Sequence, residues 1–100
     1  MTTTRHFIVS GRVQGVGFRH GTRVMAEQLE LSGWVKNLPG GEVEVVAVGD
    51  PKNLAEFETW LWAGPSHARV TGVAATTMES GMKSGVKPEP DAAGGFHIRV

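Results

Sequence analysis

Residues 6–30, HFIVSGRVQGVGFRHGTRVMAEQLE, contain the change of hydrophobic period that decides the fold. In residues 6–13 apolar side chains alternate with mostly polar ones, which is the two-residue period of a β-strand. One face of this strand then carries Phe7, Val9, Gly11 and Val13. Residues 19–30 instead repeat their core positions at helical spacing, at Thr22, Met25, Ala26 and Leu29. The glycine-bearing segment 14–18 joins the two, so the stretch predicts a strand that leads through a tight loop into a helix.

The next part of the chain predicts a hairpin and a second helix. Residues 34–37 and 42–48 are two β-rich runs around the turn sequence LPGG at residues 38–41. Asp50-Pro51 supplies an N-cap residue followed by proline at the first helical position. Apolar residues continue at helical spacing from there until Gly64-Pro65 ends the helix.

The remaining segments complete the order of elements. Residues 68–77 are rich in β-branched side chains and predict a strand, and residues 96–99 predict a short last strand. We expect residues 1–5 to form a flexible tail and residues 79–95, rich in Gly, Pro and Lys, to form a mobile loop. The resulting order, βαββαβ plus a short last strand, predicts an α+β, ferredoxin-like split βαβ sandwich with two helices on one face of an antiparallel sheet. We expect residues 1–100 to form a single domain.

Composition excludes several classes of site. The chain has 100 residues and no Cys, which excludes disulfides, thiolate zinc sites and cysteine nucleophiles. No apolar run approaches the roughly 18 residues of a membrane-spanning helix, and the N-terminus lacks the apolar core of a signal peptide. We therefore expect a cytoplasmic protein that makes no membrane contact.

The charge of the chain is balanced overall but uneven along its length. Ten Lys and Arg balance ten Asp and Glu, whereas binding to many nucleic-acid phosphates favours a basic surplus, so we expect no nucleic-acid partner. Residues 1–40 contain five Lys or Arg and two Glu. This local surplus suits a small anionic ligand, although solvated surface charge without a role fits the same counts.

The four histidines do not form a metal-binding pattern. They show no i, i+4 pair and no neighbouring carboxylate at ligand spacing, so we expect no metal ion. His20 follows Arg19 directly, but adjacent residues on a helix point about 100° apart. We therefore interpret His20 as peripheral to any site built around Arg19.

The loop between the first strand and the first helix has the composition of a phosphate cradle. Gly15 and Gly17 permit positive φ, so successive backbone N–H groups can converge on an anion at the positive end of the helix dipole. Arg19 adds a planar cationic fork that can bind two oxygens of one phosphoryl group. Considered alone, a Gly-x-Gly loop is a weak signal, and a plain structural turn fits these residues equally well.

The wider motif is more specific than the loop alone. Residues 11–19, GRVQGVGFR, and residues 33–37, GWVKN, resemble the acylphosphatase family. The terminal FHIR at residues 96–99 and the order of the predicted elements are also similar to this family. The resemblance extends over about residues 6–99, with segment 79–95 unmatched.

The resemblance implies a monomeric enzyme, without metal or cofactor, that hydrolyses acyl phosphates to a carboxylate and inorganic phosphate. On the matching positions, Arg19 and Asn37 would be the catalytic residues, with Asn37 orienting the attacking water. The implied phosphate-binding set, acting through backbone N–H groups and one guanidinium, is Gly15, Val16, Gly17, Phe18 and Arg19. No side-chain nucleophile is required, because an acyl phosphate already carries a good carboxylate leaving group.

Three positions depart from the family's usual pattern. Glu30 stands where a helix-ending glycine is common, so we expect an altered C-cap or a cost of about 1 kcal/mol. Gly40 replaces a frequent aspartate of the hairpin, which predicts a looser turn beside Asn37. Gly17 adds a further glycine to the loop, which predicts a softer cradle with altered affinity for phosphate.

Two other functions remain open on the residues. A ferredoxin-like module can bind phosphate, another anion or RNA without catalysis. RNA-binding modules of this kind stack bases on aromatic residues of their central strands. Residues 42–48 contain no aromatic residue, which argues against RNA. The same domain can also serve as one module of a larger carbamoyl-transferring maturation enzyme. Because the sequence stops at residue 100, we expect a stand-alone enzyme instead.

Overall fold

A computed structural model describes residues 2–78 and 95–99 of the chain. Within these residues, five strands and two helices follow one another in the predicted order. Their bounds are β1 Thr3–Arg12, α1 Phe18–Gln28, β2 Ser32–Asn37, β3 Val43–Gly49, α2 Pro51–Ala63, β4 Arg69–Met78 and β5 Phe96–Arg99. The mobile loop predicted for residues 79–95 lies, except for Gly95, outside the described residues.

The strands form one sheet in the order β4-β1-β3-β2-β5. β1 pairs antiparallel with both β3 and β4, and β2 pairs antiparallel with β3, as the sequence predicts. β5 differs, because it pairs parallel with β2. It follows that β1, β2 and β5 all run in one direction, so their C-terminal ends lie at the same edge of the sheet.

Both helices cover one face of this sheet and enclose the core. The face is lined by alternate strand residues, because successive side chains of a strand point to opposite sides. Phe57 of α2 is fully buried and contacts Phe7 of β1 and Phe96 of β5 edge-on, with ring centroids 5.8 and 6.0 Å apart. The core therefore ties the second helix to a central strand and to the last strand, and confirms the predicted two-layer α+β architecture.

Two details of β1 differ from the prediction. Residues 3–5 are not part of a flexible tail, because they pair with β3 and β4 on both sides of the strand. Gly11 does not continue the buried face, because it is exposed and has a φ of 119°, beside a β-bulge in which the register with β4 skips Thr71. The local apolar pattern of residues 3–5 (TTR) does not indicate the long-range pairing, and that of residues 10–12 (SGR) does not indicate the bulge.

The C-terminus of α1 keeps a glycine-type geometry without a glycine. Glu30 has a φ of 58°, in the left-handed region that favours glycine. The N–H of Leu31 donates to the carbonyl of Ala26 at 2.9 Å, and that of Glu30 donates to the carbonyl of Glu27 at 3.1 Å. These two bonds form a Schellman motif, so the altered sequence retains the usual cap and carries backbone strain at Glu30.

We expect Glu30→Gly to raise the free energy of unfolding by about 1 kcal/mol, because glycine adopts positive φ without a Cβ clash. Urea denaturation of the two proteins measures the change. Glu30→Ala is the matched control, since it removes the charge and keeps the strained Cβ. An equal gain in Glu30→Ala would show that the charge, and not the backbone, limits stability here.

Candidate active site

The loop between β1 and α1 has the backbone conformation that a phosphate cradle requires. Gly15 and Gly17 have φ values of 75° and 78°, and a Cβ at either position would meet no other atom within 4 Å. Left-handed residues interleaved with ordinary ones turn successive N–H groups toward one side of the loop. Phe18 anchors the end of the loop, since its ring is buried and lies 5.7 Å from the ring of Trp60. The loop is therefore open on one side and fixed to the core on the other.

The two helices begin in different ways. At α2, Asp50 accepts a hydrogen bond from the N–H of Lys52 at 2.9 Å, and Pro51 occupies the first turn. At α1, the N-cap residue Gly17 offers no side-chain acceptor, and the first turn contains no acidic residue. The first N–H groups of a helix require acceptors from outside the helix. The amino end of α1 is thus able to bind an anion, whereas that of α2 is already capped.

Arg19 is held at this helix end by the last strand. Its Nη1 donates to the backbone carbonyl of Arg99 at 3.2 Å, and its side chain is partly buried. One bond leaves most of the five guanidinium N–H donors available, and the planar fork matches two oxygens of a phosphoryl group. β5 therefore orients the guanidinium without neutralising it.

Asn37 ends β2 at the same edge of the sheet. Its side-chain Oδ1 is buried and has no hydrogen-bond partner within residues 2–78 and 95–99. A buried carbonyl oxygen without a partner is costly, so an external donor that reached Oδ1 would be bound favourably. A water molecule can supply that donor.

A cleft of about 210 Å³ brings most of the predicted site residues together. Its lining consists of the two cradle glycines, the two catalytic candidates, three apolar residues and a histidine, namely Val13, Gly15, Gly17, Phe18, Arg19, His20, Asn37 and Ile98. Val16 is the one predicted site residue outside this lining, and its side chain packs against the hydrophobic core instead. His20, which the sequence analysis interprets as peripheral, is exposed at the wall of this cleft.

Two contacts at the site escaped the sequence analysis. The carbonyl of Arg99 holds the guanidinium of Arg19 across 80 positions of sequence, and the side-chain amide of Gln14 binds the β2–β3 turn. The sequence does not indicate the contact between Arg19 and Arg99, because any residue can supply a backbone carbonyl. The contact of Gln14 has a partial signal, because a polar residue directly before the cradle is available to bind a neighbouring loop.

The described part of the chain contains neither a metal-binding cluster nor a membrane-spanning helix. Among the residues that the structure describes, no three His, Asp or Glu side chains lie close enough together to share a metal ion. None of the helices in that part of the chain has the length and apolar character needed to cross a bilayer.

The family model and the relatives of similar sequence point to the same family. The acylphosphatase family model matches residues 5–87. An acylphosphatase of Pseudomonas aeruginosa is 54% identical over 68 residues, which are 68% of this chain and 75% of that protein. An acylphosphatase of Rubrobacter xylanophilus is 47% identical over 93 residues, covering 91% of this chain and 74% of its own.

Solved structures agree with the sequence relatives. The structure of an acylphosphatase from Coxiella burnetii superposes with a TM-score of 0.81 at 40% identity, covering 98% of this chain and 93% of that chain. The crystal structure of the acylphosphatase from Bacillus subtilis gives the same TM-score at 34% identity and covers both chains completely. The chain therefore belongs to the acylphosphatase family and is an enzyme that hydrolyses acyl phosphates.

Proposed function

We propose that Arg19 and the backbone N–H groups of residues 15–19 bind the phosphoryl group of the substrate, and that Asn37 orients the attacking water. The observation that carries this assignment is the shared cleft, in which an uncapped helix end, a guanidinium and an unpartnered amide oxygen meet. The first two attract a phosphoryl dianion, and the third accepts a hydrogen bond from water. Each group thus has a partner in the reacting complex.

The reaction follows from this arrangement. The oxygen of water forms a bond to phosphorus while the bond between phosphorus and the acyl oxygen breaks, so the carboxylate leaves with the bonding electrons. The guanidinium and the cradle N–H groups stabilise the charge on the three equatorial oxygens, which is the main requirement of phosphoryl transfer. A proton of the attacking water passes to the phosphoryl group itself; among the described residues the cleft lining contains no carboxylate, and its histidine, His20, is exposed at the wall. The products are the carboxylate and inorganic phosphate.

Asparagine suits the water-binding position better than a carboxylate. Its Oδ1 accepts a hydrogen bond from water without placing a second negative charge beside the phosphoryl dianion, where like charges repel. Water held by one oriented acceptor also loses less freedom on the way to the transition state.

We further propose a cytoplasmic monomer that acts on a small-molecule acyl phosphate and binds neither nucleic acid nor membrane. The absence of cysteine suits a reducing compartment. The central strand β3 has no aromatic residue for base stacking, which favours a small-molecule enzyme over an RNA-binding module.

Hydrolysis of benzoyl phosphate, followed by loss of its ultraviolet absorbance, tests the proposed site. We expect full turnover in excess chelator and competitive inhibition by inorganic phosphate, because substrate and product occupy one cradle. Inhibition that leaves the apparent KM unchanged would place phosphate outside the cradle. A folded protein that binds phosphate without turnover would support the anion-binding module instead.

A further inference from the structure

Gln14 connects the two halves of the cleft through its side-chain amide. Its Nε2 donates to the carbonyl of Leu38 at 2.8 Å and to the carbonyl of Glu42 at 2.9 Å. The amide group has two N–H donors, and this pair of bonds uses both. The side chain is partly buried, where hydrogen bonds are less exposed to competition from water.

The two acceptors are the first and last residues of the β2–β3 turn. The N–H of Leu38 donates to the carbonyl of Glu42 at 2.8 Å, and the N–H of Gly41 donates to the carbonyl of Leu38 at 3.1 Å. Gly40 and Gly41 contribute no side chain that could stiffen this turn, and glycine is the most flexible residue in the backbone. A proline and two backbone bonds restrain the turn internally, and the amide of Gln14 ties it to the cradle loop.

Both ends of this connection adjoin site residues. Gln14 directly precedes Gly15 of the cradle, and Leu38 directly follows Asn37. Asn37 is the last residue of β2 to pair with β3, opposite Val43. A shift of the turn relative to the cradle would consequently change the distance between Asn37 and the bound phosphoryl group.

We propose that Gln14 is a positioning residue that sets the separation between the phosphate cradle and Asn37. The inference rests on the water-orienting role proposed above for Asn37. Gln14 itself is not among the residues that line the cleft. Its effect on the reaction passes through the carbonyl of Leu38 to the neighbouring Asn37, so it acts on turnover more than on phosphate binding.

Gln14→Met tests the proposal, since methionine has similar length and lacks the N–H donors. We expect kcat for benzoyl phosphate to fall about 10- to 100-fold, as for other small misplacements of reacting groups. The competitive inhibition constant of inorganic phosphate should change by less than about threefold, because the cradle N–H groups and Arg19 stay in place. Gln14→Leu provides a second apolar variant if the methionine side chain disturbs folding, which thermal denaturation detects.

A double-mutant cycle separates positioning from a general loss of stability. If Gln14 acts through Asn37, then Gln14→Met lowers kcat little further when Asn37 is already alanine. Independent effects of the two substitutions would overturn the proposal, as would a parallel loss of phosphate affinity and kcat in Gln14→Met. Unchanged kcat in both apolar Gln14 variants would also overturn it. Wild-type activity in Asn37→Ala alone would instead reject the proposed role of Asn37, and the inference about Gln14 with it.

Discussion

Arg19→Ala is expected to lower kcat/KM for benzoyl phosphate by about 10³-fold or more, the largest effect of any substitution considered for this chain. Among the described residues that line the cleft, Arg19 is the only Lys or Arg, and the bond from its Nη1 to the carbonyl of Arg99 holds the guanidinium in place. Its loss removes a bidentate, charge-assisted contact that strengthens as charge develops on the phosphoryl oxygens. Steady-state kinetics and phosphate inhibition both measure the effect.

Two variants separate charge from geometry. Arg19→Lys keeps the charge and removes the planar fork, so it should recover only a minor part of the lost activity. Arg23→Ala is the matched control on the same helix, because Arg23 pairs with Glu27 at 3.3 Å on the exposed surface. Arg23→Ala should retain wild-type kinetics and change stability by less than about 0.5 kcal/mol. Equal activity in Arg19→Ala and Arg23→Ala would exclude Arg19 from the site.

Asn37→Ala should lower kcat by about 10²- to 10³-fold and leave the inhibition constant of phosphate within about threefold of the wild-type value. The difference arises because Oδ1 orients the water, while phosphate binding depends on the cradle and Arg19. Substrate kinetics with phosphate as inhibitor give both numbers from one set of assays. A loss of phosphate affinity as large as the loss of kcat would assign Asn37 to phosphate binding instead.

Asn53→Ala provides an asparagine control away from the cleft. Nδ2 of Asn53 donates to the carbonyl of Leu29 at 3.1 Å and so joins α2 to the end of α1. We expect this variant to lose about 1 kcal/mol of stability and no activity. Asn37→Asp adds a test of charge, since it keeps the shape of the side chain and sets a carboxylate beside the dianion. It should be no more active than Asn37→Ala.

The sequence predicted the helices and strands that bury one face. It did not predict the strand pairings whose two partners are distant in sequence. α2 was predicted within a residue at each end, because Asp50, Pro51 and Gly64 are local signals. The first residues of β1 were missed, since Thr3 and Thr4 join the sheet through pairing with Gly49, Val48 and Met78. The parallel direction of β5 was missed for the same reason.

The candidate site shows a similar division. The motif located Arg19 and Asn37, and the cleft contains both, because the C-terminal ends of the parallel strands β1 and β2 lie at one edge of the sheet. The sequence did not predict that His20 would line the cleft, because the angle between adjacent residues on a helix does not determine the width of the cleft. The bonds from Gln14 and Arg19 to backbone carbonyls depend on the folded positions of loops, which no residue type encodes.

The open start of α1 restricts where this helix can be made more stable. An N-cap Ser, Asp or Asn is only about a few tenths of a kcal/mol better than glycine on an ordinary helix. At Gly17 the φ of 78° strains any residue with a Cβ, which offsets that gain. In the proposed cradle, such a side-chain oxygen would also compete with the phosphoryl group for the same N–H groups. Stabilising substitutions in α1 are therefore to be sought at its other end, where the strained Glu30 touches no part of the cleft.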